Sequence, residues 1–141
     1  MNTEIFADSN YWLALFDRRD YLHTIANKAM RSLSTNVYIV TSQVVFAELM
    51  EMCAKDTPYI KEQLITFIEG LTNDPNIILE PSTPKLHDDT VTFYRKHADK
   101  EWGFADCSSF VIMKRRKIRE ALTYDKHFIQ AGFKALLRDE A

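Results

Sequence analysis

The chain has 141 residues, the size of one compact domain, and its 46% apolar and 12% aromatic content is enough for a buried core. Three glycines and four prolines exclude a collagen-like repeat, a disordered low-complexity tail and a turn-rich barrel. A formal net charge of −2 gives no support to binding nucleic acid through a broad basic surface.

Met1-Asn2-Thr3-Glu4 carries no basic residue, and the apolar stretch behind it is broken at Asp8, so no secretory leader is expected. No apolar run is long enough to span a bilayer. Cys53 and Cys107 form no CxxC pair and read as reduced thiols of a cytoplasmic protein.

In chain order, a first strand is expected over Glu4-Ile5-Phe6-Ala7, and Asp20 is expected to cap a helix running through Ala26 to Leu33. A second strand covers Val37-Tyr38-Ile39-Val40, followed by a helix from Ser42 to Ala54. Ile60, Leu64, Phe67, Ile68 and Leu71 share one helical stripe. Asn76 to Glu80 reads as the third strand. Ser82-Thr83-Pro84 starts a helix, with Pro84 near its first position and Asp88 and Asp89 early in it. A helix over Ala105 to Arg116, a fourth strand over Glu120-Ala121-Leu122-Thr123 and a weak fifth within Phe133 to Leu137 complete the pattern.

Short apolar strands alternating with helices imply a three-layer α/β/α sandwich, a single domain over residues 1–141 with a mostly parallel sheet of four or five strands. Sites in such folds lie in the crevice outside the carboxyl ends of the strands. Asp8 directly follows the first strand and Asp125 the fourth. Glu48 lies about one and a half turns into the helix after the second strand, and Asp106 opens the helix before the fourth. All four can therefore face one crevice.

Such a cluster has a chemical reason. Mg²⁺ and Mn²⁺ prefer carboxylate oxygen, and a bound divalent ion offsets the repulsion among the acids. It would also neutralise a phosphodiester and activate water against it. Singly, each acid has a plainer reading. Asp8 and Asp125 are also what a turn or helix cap requires, and for Asp125 alone that reading is the better one. Asp106 suits the first turn of a helix. Glu48 is the hardest to dismiss, because it interrupts Val44-Val45-Phe46-Ala47-Glu48-Leu49-Met50, where an unpaired charge is costly. At four matching topological positions, a shared site is the stronger reading.

The same segments resemble the PIN-domain family, and within it the VapC-type toxins of toxin–antitoxin modules. Phe6-Ala7-Asp8-Ser9-Asn10 is similar to the family's first strand and first acid, and Thr41 to Glu48 to its second-strand exit and glutamate. Trp102-Gly103-Phe104-Ala105-Asp106-Cys107-Ser108-Ser109-Phe110 is similar to its most recognisable stretch. Leu122-Thr123-Tyr124-Asp125-Lys126-His127-Phe128 resembles the segment with the last acid. The resemblance covers nearly the whole chain. It implies Mg²⁺- or Mn²⁺-dependent hydrolysis of single-stranded or loop RNA, leaving a 5′-phosphate and a 3′-hydroxyl, frequent homodimers, and inhibition by a cognate antitoxin protein. It also implies that Ser9, Ser42 and Ser109 orient water or carboxylates beside the acids. Position 10 departs from the pattern, with Asn10 where a small hydroxyl residue is expected, but Asn10 can still donate and accept hydrogen bonds and is expected to support the acids with Ser9, Ser42 and Ser109.

The remaining features read as structural. Lys114-Arg115-Arg116-Lys117 with Arg119 sits at the far end of its helix from Asp106 and reads as a solvated helix end rather than an RNA contact. Arg18 and Arg19 follow the helix begun near Asp8 and are better placed for phosphate or a partner's carboxylates, a reading that weighs evenly against a plain surface role. His23, His87, His97 and His127 form no zinc pattern and read as surface positions. Trp12, Phe16, Phe46, Met50 and Met52 read as core, with a partner interface as the alternative. Two rival readings are a receiver-like module that accepts a phosphoryl group and a PIN-like fold that only binds a partner. The first usually needs paired acids after strand one, and Asp8 has no acidic neighbour in sequence.

Overall fold

The computed structural model describes residues 3–140, with side chains as far as Arg138. Met1, Asn2 and the Asp139 side chain lie outside them. The elements are β1 (Thr3–Ala7), α1 (Ser9–Phe16), α2 (His23–Arg31), β2 (Val37–Ser42), α3 (Gln43–Met52), α4 (Pro58–Thr72), β3 (Ile77–Glu80), α5 (Pro84–Lys96), α6 (Phe104–Arg116), β4 (Glu120–Leu122), α7 (Lys126–Gln130), β5 (Lys134–Ala135) and α8 (Leu136–Glu140).

All strand pairs are parallel, in the order β3-β2-β1-β4-β5. The chain steps outward from β1 through β2 to β3, then returns to the other side of β1 for β4 and β5. With right-handed crossovers, that reversal puts α1 to α4 on one face of the sheet and α5 to α7 on the other. The order reverses between β1 and β4, so a crevice opens beyond their carboxyl ends. Asp8 and Asp125 flank this crevice, each just past the end of one of these strands.

Burial explains why the strands read as short apolar runs. Phe6 and Ala7 of β1, Val40 of β2 and Ala121 and Leu122 of β4 are fully buried. The outer strand β3 is only half-buried along its length. Helix α6 runs through the middle of its layer and buries Cys107, Ser108, Ser109, Phe110, Ile112 and Met113. Phe110 packs edge-on against Trp102 and Phe128. Cys53 and Cys107 are buried and unbridged. Among the described residues, no helix is long and apolar enough to cross a membrane.

Several boundaries differ from expectation. Asp20 does not cap α2. Its carboxylate accepts the Leu22 N–H at 2.8 Å and closes the preceding turn, and α2 ends at Arg31, short of Leu33. The fifth strand shrinks to Lys134–Ala135 because Leu136 and Leu137 turn into α8. Thr83 caps α5, with Pro84 in its first turn as read from the sequence. Trp12 and Phe46 belong to the core, whereas Met50 and Met52 are nearly half exposed.

Candidate metal centre

Asp8 is buried at the end of β1, where it also serves as the N-cap of α1, its Oδ1 accepting the Ser9 N–H at 2.8 Å. Its other oxygen, Oδ2, accepts from the Thr123 hydroxyl at 2.9 Å and from Asn10 Nδ2 at 3.0 Å. The cap reading and the site reading of Asp8 therefore describe one geometry. Capping fixes the carboxylate at the mouth of the crevice.

Thr123 is the hub. Its single hydroxyl proton goes to Asp8, and its oxygen accepts from Asn10 Nδ2 at 3.0 Å and from the Asp125 N–H at 3.0 Å. Asn10 in turn accepts the Tyr124 N–H at 3.0 Å on Oδ1. The asparagine thus supplies two donors and one acceptor at once, which a serine or threonine hydroxyl cannot do. The asparagine at position 10 ties Asp8, Thr123 and Tyr124 together.

Glu48 reaches the same region from α3, where the Ser9 hydroxyl donates to its Oε1. Asp106 enters from the first turn of α6 and Asp125 from the N-cap of α7, where its Oδ1 accepts the His127 N–H at 2.9 Å. The His127 ring Nδ1 lies 2.9 Å from Asp106 Oδ2 and 3.3 Å from Asp125 Oδ1.

Oxygen atoms of Asp106 and Asp125 and a ring nitrogen of His127 all lie within 4.8 Å of one another. Asp8 and Glu48 form a second cluster, bridged by Ser9 and tied to Asp125 through Thr123. Ser109 is buried one turn beyond Asp106. Ser42 caps α3, its hydroxyl oxygen accepting the Val45 N–H at 3.1 Å.

The electrostatics fit a cation. Burial pushes the Asp8 carboxyl up to about 7, and the negative charges of Glu48 and Asp106 add to the shift against the hydrogen bonds from Ser9 and Thr123. Burial raises Asp106 to about 6, reinforced by the charge of Asp125 and opposed by His127. Carboxylates held this close without positive charge hold on to protons. A divalent cation would replace them, and the carboxylate oxygens suit Mg²⁺ or Mn²⁺.

Sequence reasoning missed Thr123 and His127. Both stand within two residues of Asp125, and their contacts depend on the turn from β4 into α7, an element with no periodic signal. The basic cluster on α6 is structural. Arg116 pairs with Glu4 at 2.9 Å and also with Glu80, Arg115 pairs with Asp89 at 2.8 Å, and Lys114 lies over the Phe93 ring. Arg116, Lys117 and Arg119 line a hollow of about 800 Å³ at the amino ends of the strands, the opposite end of the sheet from the acids. Arg19 is exposed and pairs with Asp17.

A family model described as PIN domain matches residues 5–134. The 23S rRNA-specific endonuclease VapC20 of Mycobacterium tuberculosis is 26% identical over 129 residues, covering 92% of this chain and 95% of that protein. Its crystal structure, described as that of a sarcin–ricin loop cleaving toxin, superimposes with a TM-score of 0.80 at 23% identity, covering 92% and 95% of the two chains. VapBC2 from Rickettsia felis, bound to a fragment of its promoter DNA, matches with a TM-score of 0.69 at 13% identity, covering 94% of this chain and 97% of that one. FitAcB from Neisseria gonorrhoeae matches with a TM-score of 0.60 at 21% identity, covering 93% and 94%.

Proposed function

The chain belongs to the PIN-domain family, and from that premise we propose that it is an endoribonuclease whose Asp8, Glu48, Asp106 and Asp125 hold Mg²⁺ or Mn²⁺. The observation that supports this reading is that Asp106, Asp125 and His127 meet within 4.8 Å, beside Asp8 and Glu48 held together by Ser9, at the crevice where the strand order reverses. A bound divalent ion would supply charge neutralisation at the phosphate and a more acidic water. Thr123 and Asn10 hold the Asp8 carboxylate in one orientation, and Ser9 does the same for Glu48. His127 places its ring against Asp106 and Asp125. The likeness to a 23S rRNA-specific endonuclease makes ribosomal RNA the first substrate to try. The VapBC and FitAB relatives support a cognate antitoxin as the partner that restrains it. The receiver-like alternative falls with the family match.

The test is cleavage of a labelled structured RNA pool and of 23S rRNA with Mn²⁺, with Mg²⁺ and with EDTA. Wild type is compared with Asp8→Ala and Asp106→Ala. Metal-dependent cutting that both variants lose is the expected result. No cutting by folded, metal-loaded, antitoxin-free protein would oppose the catalytic reading and favour a PIN fold that only binds a partner.

A further inference from the structure

Beside the acids, three side chains from separate parts of the chain meet without a role in the core. Tyr21, in the turn between α1 and α2, is 80% exposed. Its ring stands edge-on to that of Tyr124, with centroids 6.4 Å apart and planes at 88°. Arg138 of α8 lies over the Tyr124 ring, its guanidinium carbon 4.4 Å from the centroid, and donates from Nε to the Tyr124 carbonyl at 2.8 Å. That single bond uses one edge of the guanidinium, and no described carboxylate pairs with the rest of it.

This group is fixed to the metal centre by the backbone. Tyr124 immediately precedes Asp125, and its N–H donates to the same Asn10 side chain that donates to Asp8. Any RNA strand whose phosphate reaches the acids must pass close to Tyr124. Single exposed tyrosines need no explanation. Here an exposed ring, a second ring and an arginine fork adjoin a centre that takes a phosphodiester.

We propose that Tyr21, Tyr124 and Arg138 form a subsite that stacks an unpaired nucleobase of the RNA and contacts a neighbouring phosphate. This inference rests on the nuclease reading of the acids. The Tyr21 ring offers an open face for a base, since every base has a π-face and aromatic stacking tolerates sequence. Arg138 stacks on Tyr124 and presents its remaining N–H donors and its charge to a phosphate oxygen. A strand stacked here must have its base out of a helix, so the subsite selects loops and single strands over duplex.

The test is equilibrium binding, which does not need cleavage. Wild-type protein, with Ca²⁺ in place of Mn²⁺ to suppress cutting, is titrated against a fluorescein-labelled decamer of riboadenosine and against the same decamer lacking its bases. The titrations are repeated with Tyr21→Ala, Tyr21→Phe and Arg138→Ala, in low salt with Ca²⁺. Tyr21→Ala is expected to weaken binding of the base-bearing decamer by roughly 5- to 100-fold, the loss of one base–aromatic stack. It should leave the baseless decamer unchanged, and Tyr21→Phe should retain the wild-type preference. Arg138→Ala should weaken both decamers.

Equal binding of the two decamers by the parent protein, or no effect of Tyr21→Ala, would overturn the subsite. Failure of either decamer to bind the parent would also overturn it. Cutting of RNA by protein carrying Tyr21→Ala alone reports separately on the nuclease reading. Full, metal-dependent cutting with no change in base-dependent binding would leave the nuclease standing and remove the subsite.

Discussion

Asp8 shows how one side chain meets structural and chemical demands together. It caps α1, accepts three hydrogen bonds and is buried, and with negative neighbours it keeps its proton up to about pH 7. An unfolded aspartate releases its proton near pH 3.9. Between those values the folded, metal-free chain binds the extra proton, so its stability falls as pH rises from about 4 to about 7 and then levels off. Asp106 acts in the same direction up to about pH 6. Melting in EDTA should therefore occur at a lower temperature at pH 8 than at pH 5.5. Saturating Mn²⁺ should remove much of the difference, because the cation takes over the role of the protons. Binding must displace those protons, so affinity for Mn²⁺ should rise between pH 5 and pH 8, with proton uptake by buffer visible in calorimetry. Asn10 and Thr123 orient Asp8, and losing such support costs a metal site about 10- to 100-fold in affinity. Asn10→Ser should show that loss in a Mn²⁺ titration while the melting curve stays cooperative.

At the scale of elements, the two ends of α6 have different tasks. Its first turn delivers Asp106, and its last turn is bound to the sheet and to α5 by Arg116 and Arg115. Arg116→Ala would leave Glu4 and Glu80 half-buried without their cation, which should cost about 1–2 kcal/mol, above the range of an exposed pair. Urea unfolding measures that loss. Lys114→Ala and Lys117→Ala should leave RNA cleavage unchanged, because both stand at the end of the helix remote from the acids. Ser42→Ala removes the cap of α3, the helix that carries Glu48, and should cost about 1 kcal/mol in the same unfolding experiment.

Legibility from sequence divides along the same line. The long elements were readable because burial imposes a period. The β1, β2 and β4 runs are apolar because both faces are covered, and α5 carries its start signal in Thr83 and Pro84. Helices α7 and α8 have five residues each, too few for a period to show, and β5 has two. Asp8, Asp106 and Asp125 were legible as candidates because each sits at the end of a recognisable element, and Glu48 because it interrupts the apolar run of α3. Thr123, Asn10 and His127 were not assigned their contacts, because those depend on how the β4–α7 turn folds back on α1 and α6.

Taken as a whole, the molecule has little positive charge to spend on RNA, with a formal net charge of −2 and the α6 basic cluster largely engaged at the far end. On the proposed nuclease reading, RNA binding would depend on a cation in the crevice and on a few local contacts rather than on a broad field. Compared with a basic nucleic-acid-binding protein, the affinity should show a shallow dependence on monovalent salt and a strong dependence on divalent ions. Filter binding across a salt series, with and without Mn²⁺, distinguishes the two.

Direct titration of Mn²⁺ at pH 7.5 tests, without any substrate, whether the four acids form one cation site. Wild-type protein should bind the ion, followed by electron paramagnetic resonance of free Mn²⁺ or by calorimetry, and Asp8→Asn and Asp106→Asn should each lose most of that affinity while remaining folded. Undiminished binding in either variant, or no binding by wild type at millimolar Mn²⁺ or Mg²⁺, would contradict the shared site.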